Sequence, residues 1–135
     1  MGIFLTLHSI NRWLILIAAL AALIHLAKDS IEKKEASKVS RIASSAFTGL
    51  MDLQVVLGGI SLMLPKIMGD REMHMTYMLL AVVIAHLPAI VKKRNPAQYP
   101  LVMALAIVIS IALIILGVAE IGGAVRWLTI FGLKF

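Results

Sequence analysis

The chain of 135 residues contains no cysteine. That excludes disulfides, Cys-ligated zinc, iron–sulfur clusters and covalent c-type haem attachment, and leaves histidine, methionine and carboxylates as metal ligands. Charge is scarce as well: only 15% of residues are charged, and the acids are fewer than the bases, 7 against 13. A soluble domain carries about 25% charged residues, so the chain falls outside that class. What fills it instead is apolar, 61% of residues with a mean hydropathy of +0.97, the composition of an integral membrane protein.

Apolar runs cover roughly Ile3–Ala27, Ile42–Leu64, Met73–Val91 and Tyr99–Val118. Each is close to the ~20 residues that cross ~30 Å of hydrocarbon. They predict an all-α, four-helix transmembrane bundle as a single domain over residues 1–135, with no room for a second. The first run lacks a basic n-region and exceeds an ordinary signal-peptide core, so it is expected to be a retained helix. Lys28, Lys33, Lys34, Lys38 and Arg41 follow run 1, and Lys92, Lys93 and Arg94 follow run 3. The link between runs 2 and 3 has only Lys66 and Arg71, offset by Asp70 and Glu72. The positive-inside rule then puts both termini outside. The net charge of +6 is mostly this inner collar, which attracts anionic lipid headgroups and implies no nucleic-acid partner.

Between the runs, Lys28–Arg41 mixes charges at helical spacing and predicts a solvated extension of helix 1 with a short link. Pro65 with Gly69-Asp70, and Asn95-Pro96, predict turns. Beyond Gly117 come Glu120, Gly122-Gly123, Arg126 and Trp127. Residues 119–135 are too short to cross and are expected to lie in the interface, anchored by Trp127, or to dock on a partner.

All four histidines lie in or at the lip of apolar runs. Histidine in hydrocarbon is costly and implies a partner. His8 and His74 lie near the same membrane face, with His8 about 8 Å into its helix at 1.5 Å per residue. If helices 1 and 3 are diagonal or adjacent, the two rings face each other across the core, where bundles build cofactor sites. Arg12, one turn below His8, would supply a guanidinium to haem propionates or a buried carboxylate. The bland alternative is that Arg12 snorkels to headgroups and His8 bonds a backbone carbonyl. A ladder of two haems is disfavoured, because His25 is rotated about 100° from His8 and His86 about 120° from His74.

Asp52 is the one carboxylate well inside a run, on a stripe at 45, 49, 52, 56 and 59 that includes Ser45, Gly49 and Gly59. Such a stripe allows close helix approach or leaves space for a flat ligand. Asp52 and His86 are expected to lean together in depth and bond, orienting a ligand, relaying protons, serving a quinone site, or knitting two helices in an apolar core. Met63, Met68, Met73, Met75 and Met78 around His74 offer a rival chemistry, Cu(I) on thioether and imidazole, against ordinary packing.

His8-Ser9-x-x-Arg12-Trp13, Gly49-x-x-Asp52-x-Gln54-x-x-x-Gly58, and His74 followed by His86 before Lys92-Lys93-Arg94 resemble motifs of small four-helix bacterial membrane proteins labelled cytochrome b or b561-like. The resemblance spans roughly residues 7–94. It implies a multi-pass protein of the bacterial inner membrane, b-type haem held by helix histidines, and electron exchange with a quinone or a protein partner. Some members carry histidine where this chain has Asp52, a departure that takes a ligand from any inner haem there. The sequence-based expectation is a b-type cytochrome-like subunit of a respiratory or photosynthetic assembly, a carrier rather than a stand-alone enzyme. His8 and His74 would be the axial ligands, Arg12 the propionate partner, and Asp52 with His86 the inner orienting or proton-handling pair. The alternatives are a cofactor-free structural subunit of a larger membrane complex and a copper-handling protein.

Overall fold

In the computed structural model the chain forms α1 (Ile3–Ile31), α2 (Lys38–Leu62), α3 (Glu72–His86), α4 (Pro88–Arg94) and α5 (Tyr99–Ala119). Two short strands follow, β1 (Thr129–Ile130) and β2 (Leu133–Lys134). The structure describes residues 2–63, 71–122, 129–130 and 133–134. The predicted turn at Pro65 and Gly69-Asp70, together with Met68, Gly123, Arg126 and Trp127, lies outside these residues.

Four helical stretches are long and apolar enough to cross a membrane: α1, α2, α3 with α4 taken as Glu72–Arg94, and α5. Pro88 explains why the third is split. It brings no N–H to the ladder and occupies the first turn of α4, where none is needed. Leu87, just before it, donates to both Val83 and Ile84 carbonyls at 3.2 and 3.3 Å. The chain therefore keeps its course through the break.

The link between α1 and α2 is tighter than its charges suggest. Lys33 takes a left-handed conformation, φ 54°, and Ser37 caps α2 by accepting from the Ser40 N–H at 3.2 Å. Asp29, expected to be solvated with its neighbours, is instead buried. Its carboxylate accepts from the Ser37 N–H at 2.9 Å and from the Ser40 hydroxyl. Charge-assisted acceptance of an otherwise unpartnered helix-start N–H explains why this acid is the one drawn inward.

α1 packs extensively on α2 and on α5, α3 packs on α5, and the α2–α3 seam is the loosest of the four. That order places α1 diagonal to α3. The core rows follow helical spacing: Ile15, Ala19, Ala22 and Leu26 on α1, and Met103, Ile107, Ile114 and Val118 on α5. Ala81 and Ala85 let α3 approach α5 closely, and the buried Ser110 hydroxyl donates to the Ala81 carbonyl at 3.0 Å. The exterior is as apolar as the core, with Ile17, Leu20 and Ile24 exposed, while Asn11, Arg12 and Gln54 are buried. This distribution is opposite to that of a water-soluble bundle and is what a hydrocarbon solvent permits. In the tail, β1 and β2 pair antiparallel, Thr129 with Lys134 and Ile130 with Leu133. β1 lies against α1, so this piece of the tail returns to its own bundle.

Candidate functional site

A cavity of about 160 Å³ opens at the end of the bundle where α1 and α3 begin and α2 and α5 finish. His8 and Arg12 reach it from α1, Arg71 and His74 from the start of α3, and Gln54 from α2. The two histidines of the diagonal helices thus line one space, and Arg12 lines it with them, 6% exposed. Among the described residues the lining carries two guanidiniums, two imidazoles and no carboxylate. Arg71 was not singled out from the sequence, where it sits beside Asp70 and Glu72 and looks like an ordinary loop base.

The two rings are held differently. His74 Nδ1 lies 2.8 Å from the Gly117 carbonyl oxygen, which makes Nδ1 the protonated donor and Nε2 the lone-pair nitrogen. This backbone-fixed tautomer is the one metal-binding histidines adopt. His8 is set by an amide relay between α1 and α2. The Asn11 side-chain N–H₂ donates to the Leu50 carbonyl and to Gln54 Oε1, both at 2.8 Å. A backbone carbonyl can only accept, so it fixes the Asn11 amide, which in turn fixes Gln54 with its N–H₂ toward His8 Nε2, 3.4 Å away. His8 Nδ1 is enclosed without a hydrogen-bond partner among the described residues. Gln54 was visible in the sequence only as part of a motif. Asn11 was missed, although an asparagine in an apolar run is itself a signal for a buried bond.

Two glycines make room for the rings. A Cβ at Gly58 would lie 3.0 Å from His8 Cε1. One at Gly117 would lie 2.5 Å from Met78 Cε and 3.6 Å from His74 Nδ1. Gly59, one residue on, would meet nothing within 4 Å. Gly58→Ala is therefore expected to cost about 1–2 kcal/mol relative to Gly59→Ala, by forcing the imidazole to shift. Gly59→Ala itself should be neutral or gain up to about 1 kcal/mol of helix propensity. Reversible unfolding of the two variants in the same detergent checks the difference.

Asp52 and His86 meet, but elsewhere. His86 Nε2 lies 3.3 Å from Asp52 Oδ1, and the side chains are 46% and 57% exposed. The pair bridges α2 and α3 on the outside of the bundle rather than in an apolar core, and neither residue lines the cavity. The reason is rotation: Ser45, Gly49, Asp52, Val56 and Gly59 lie on the exposed side of α2, while the buried row Ser44, Phe47, Met51, Gln54 and Leu57 faces the core. His86 Nδ1 donates to the Val82 carbonyl at 2.8 Å. A charged residue alone at mid-bilayer costs about 2.5–3.5 kcal/mol on insertion scales, and each group of this pair gives the other a partner. His25 lies away from the cavity, near the Asp29 link.

The methionines expected around His74 are divided between the cavity and the surface. Met75 and Met78 line the cavity, whereas Met63 and Met73 are 81% and 51% exposed. Among the described residues no group of three or more histidine and carboxylate side chains converges to hold a metal ion. Fold and site together have the form of a small four-helix bundle whose helices are long and apolar enough to cross a membrane, with a mostly apolar cavity at one end into which a few polar side chains reach. No family model, curated protein or solved structure matches the chain.

Proposed function

We propose that this chain is a small electron-transfer protein of the bacterial plasma membrane that holds b-type haem between His8 and His74. The observation that carries the reading is the convergence of two imidazoles, from diagonal helices, on a cavity that also receives two guanidiniums. The donor set suits the group: two neutral nitrogen ligands for the iron, and Arg12 and Arg71 for two propionates. Bound haem would supply one-electron exchange with a quinone or a larger membrane complex. The chain's own part is to orient. Gly117 fixes the His74 tautomer, Gly58 gives the His8 ring the room it takes beside α2, and Met51, Met75 and Met78 are adaptable side chains that can yield to a macrocycle. Asp52 and His86 lie outside this set and do not hold the cofactor in our reading.

A second reading is favoured by volume. A cavity of about 150 Å³ holds one benzene-sized ring, and the cavity here is about 160 Å³. A single-ring quinone headgroup fits that space directly, with the arginines as hydrogen-bond donors to its oxygens, His74 Nε2 as an acceptor for the reduced form, and the tail in lipid. The absorbance spectrum of the purified protein, followed by solvent extraction and chromatography, separates the outcomes. A Soret band is expected for haem. Extracted quinone without a Soret band supports the second reading, and neither supports a cofactor-free structural subunit.

The orientation proposed is both termini outside, with the cavity at the outer end. A cysteine placed at Gly69, in a chain with no other cysteine, should be labelled by a membrane-impermeant maleimide from the external side. Labelling from the cytoplasmic side alone would invert the orientation and put the cavity inside.

A further inference from the structure

We infer that the cavity, read above as a ligand site, opens sideways through the seam between α2 and α3 and takes its ligand from the hydrocarbon, as a lipid-dissolved molecule with a compact polar head and an alkyl tail, a step that rests on that reading of the cavity. Among the described residues that line it, those exposed on the outside of the bundle are Gly59 on α2 and Met75 and Leu79 on α3. All three flank one seam, the loosest of the four. The opposite wall, where α1 meets α5, is closed by Ile15, Ile114 and Val118, each at most 4% exposed. The cavity is blind on that side and open on the other.

The opening falls within the apolar length of both helices. Gly59 is three residues before the end of α2 and Leu79 seven residues into α3, about 5 and 10 Å along their axes. Val56 and Val83, one turn deeper on the same faces, are exposed and apolar as well. At this depth the surroundings of a spanning helix are acyl chains. Asp52 and His86 bridge the same seam seven residues beyond Gly59 and Leu79, so both lie about 10 Å deeper. The bridge ties the two helices below the opening, and Gly59 keeps the opening clear. A Cβ there meets nothing within 4 Å, so a larger side chain would stand in the passage itself.

The lining selects the class of molecule. Behind the opening the walls are mostly apolar, with His8, Arg12, Gln54 and His74 reaching in as polar anchors. A cavity of about 160 Å³ holds a head of about one ring. The rest of a membrane-soluble molecule then stays among the acyl chains, leaving between Gly59 and Leu79.

The test uses the full chain, produced in a haem-deficient host and placed in lipid discs, with two photoactivatable benzoquinones that carry a diazirine beside the ring. One has an alkyl tail; the other is sulfonated and tailless. The tailed probe should label Met51 and Ile114, which line the cavity and are otherwise buried, and the sulfonated probe should not. Gly59→Leu should cut the labelling about tenfold by filling the passage, with Gly59→Ala, whose methyl group meets open space, in between. Gly49→Leu, on the same exposed side but ten residues deeper and outside the lining, should leave it unchanged. No label at Met51 and Ile114, equal labelling by the sulfonated probe, or undiminished labelling in Gly59→Leu would each overturn the lateral route. Haem is read separately, from the Soret band of the chain made in an ordinary host, so failure of the haem reading leaves this result standing.

Discussion

His74→Ala is expected to produce the largest spectroscopic change of any single substitution: loss of the low-spin haem spectrum, by release of the group or by conversion to high spin. The argument rests on the ring's support. A histidine whose Nδ1 proton is committed to the Gly117 carbonyl at 2.8 Å presents Nε2 with its lone pair in a fixed direction. Removing the ring removes the ligand. Disturbing only its support should do less: Gly117→Ala, whose Cβ crowds Met78 and Tyr77 and approaches the ring, should weaken binding about 10–100-fold, the range for losing an outer-shell partner. His25→Ala should leave the spectrum unchanged, because His25 lies away from the cavity. Retention of a low-spin spectrum in both His8→Ala and His74→Ala would exclude the axial assignment and leave the single-ring quinone as the occupant to pursue.

The largest expected effect on stability lies in the amide relay. Asn11→Leu keeps the branched outline of the side chain but removes two 2.8 Å bonds and leaves Gln54 Oε1 without its donor. A buried acceptor left without its donor costs about 1–3 kcal/mol in a protein interior. Helix–helix bonds measured in membranes average about 0.6 kcal/mol and reach about 1.7. A loss of about 1–2 kcal/mol is thus expected in reversible unfolding. Gln54→Leu should lose less, since Asn11 keeps its bond to the Leu50 carbonyl. The double variant should be less destabilised than the sum of the singles, because Gln54 Oε1 is no longer present to be left unbonded. Simple additivity would show that the two amides act separately and that His8 is placed by packing against Gly58 alone.

The spans were legible in the sequence to within a few residues at most ends. A hydropathic run depends only on neighbouring residues, and the length of the hydrocarbon sets where it stops. The turn at Asn95-Pro96 was legible for the same local reason. Helix rotation was not. In a soluble bundle a polar outer face tells which side points inward, but here Ile17, Leu20 and Ile24 face outward while Ile15, Ala19 and Ala22 face inward. Both sets are apolar, so the pattern carries almost no direction.

That missing direction separates what the sequence by itself determined from what only the tertiary structure decided. From the residues alone came four helices long enough to cross a membrane, the absence of thiol chemistry, and the placing of His8, Arg12 and His74 near one end. Each of these follows from composition or from distance along a helix. The convergence of His8 and His74 on one cavity was decided by the order of packing, which sets α1 diagonal to α3. So was the outward turn of Asp52 and His86, a pair whose meeting is a matter of depth but whose surroundings are a matter of rotation. Gly58 and Gly59 show the limit most directly. They are adjacent and chemically identical, yet about 100° of helical rotation puts one beneath the His8 ring and the other in open space.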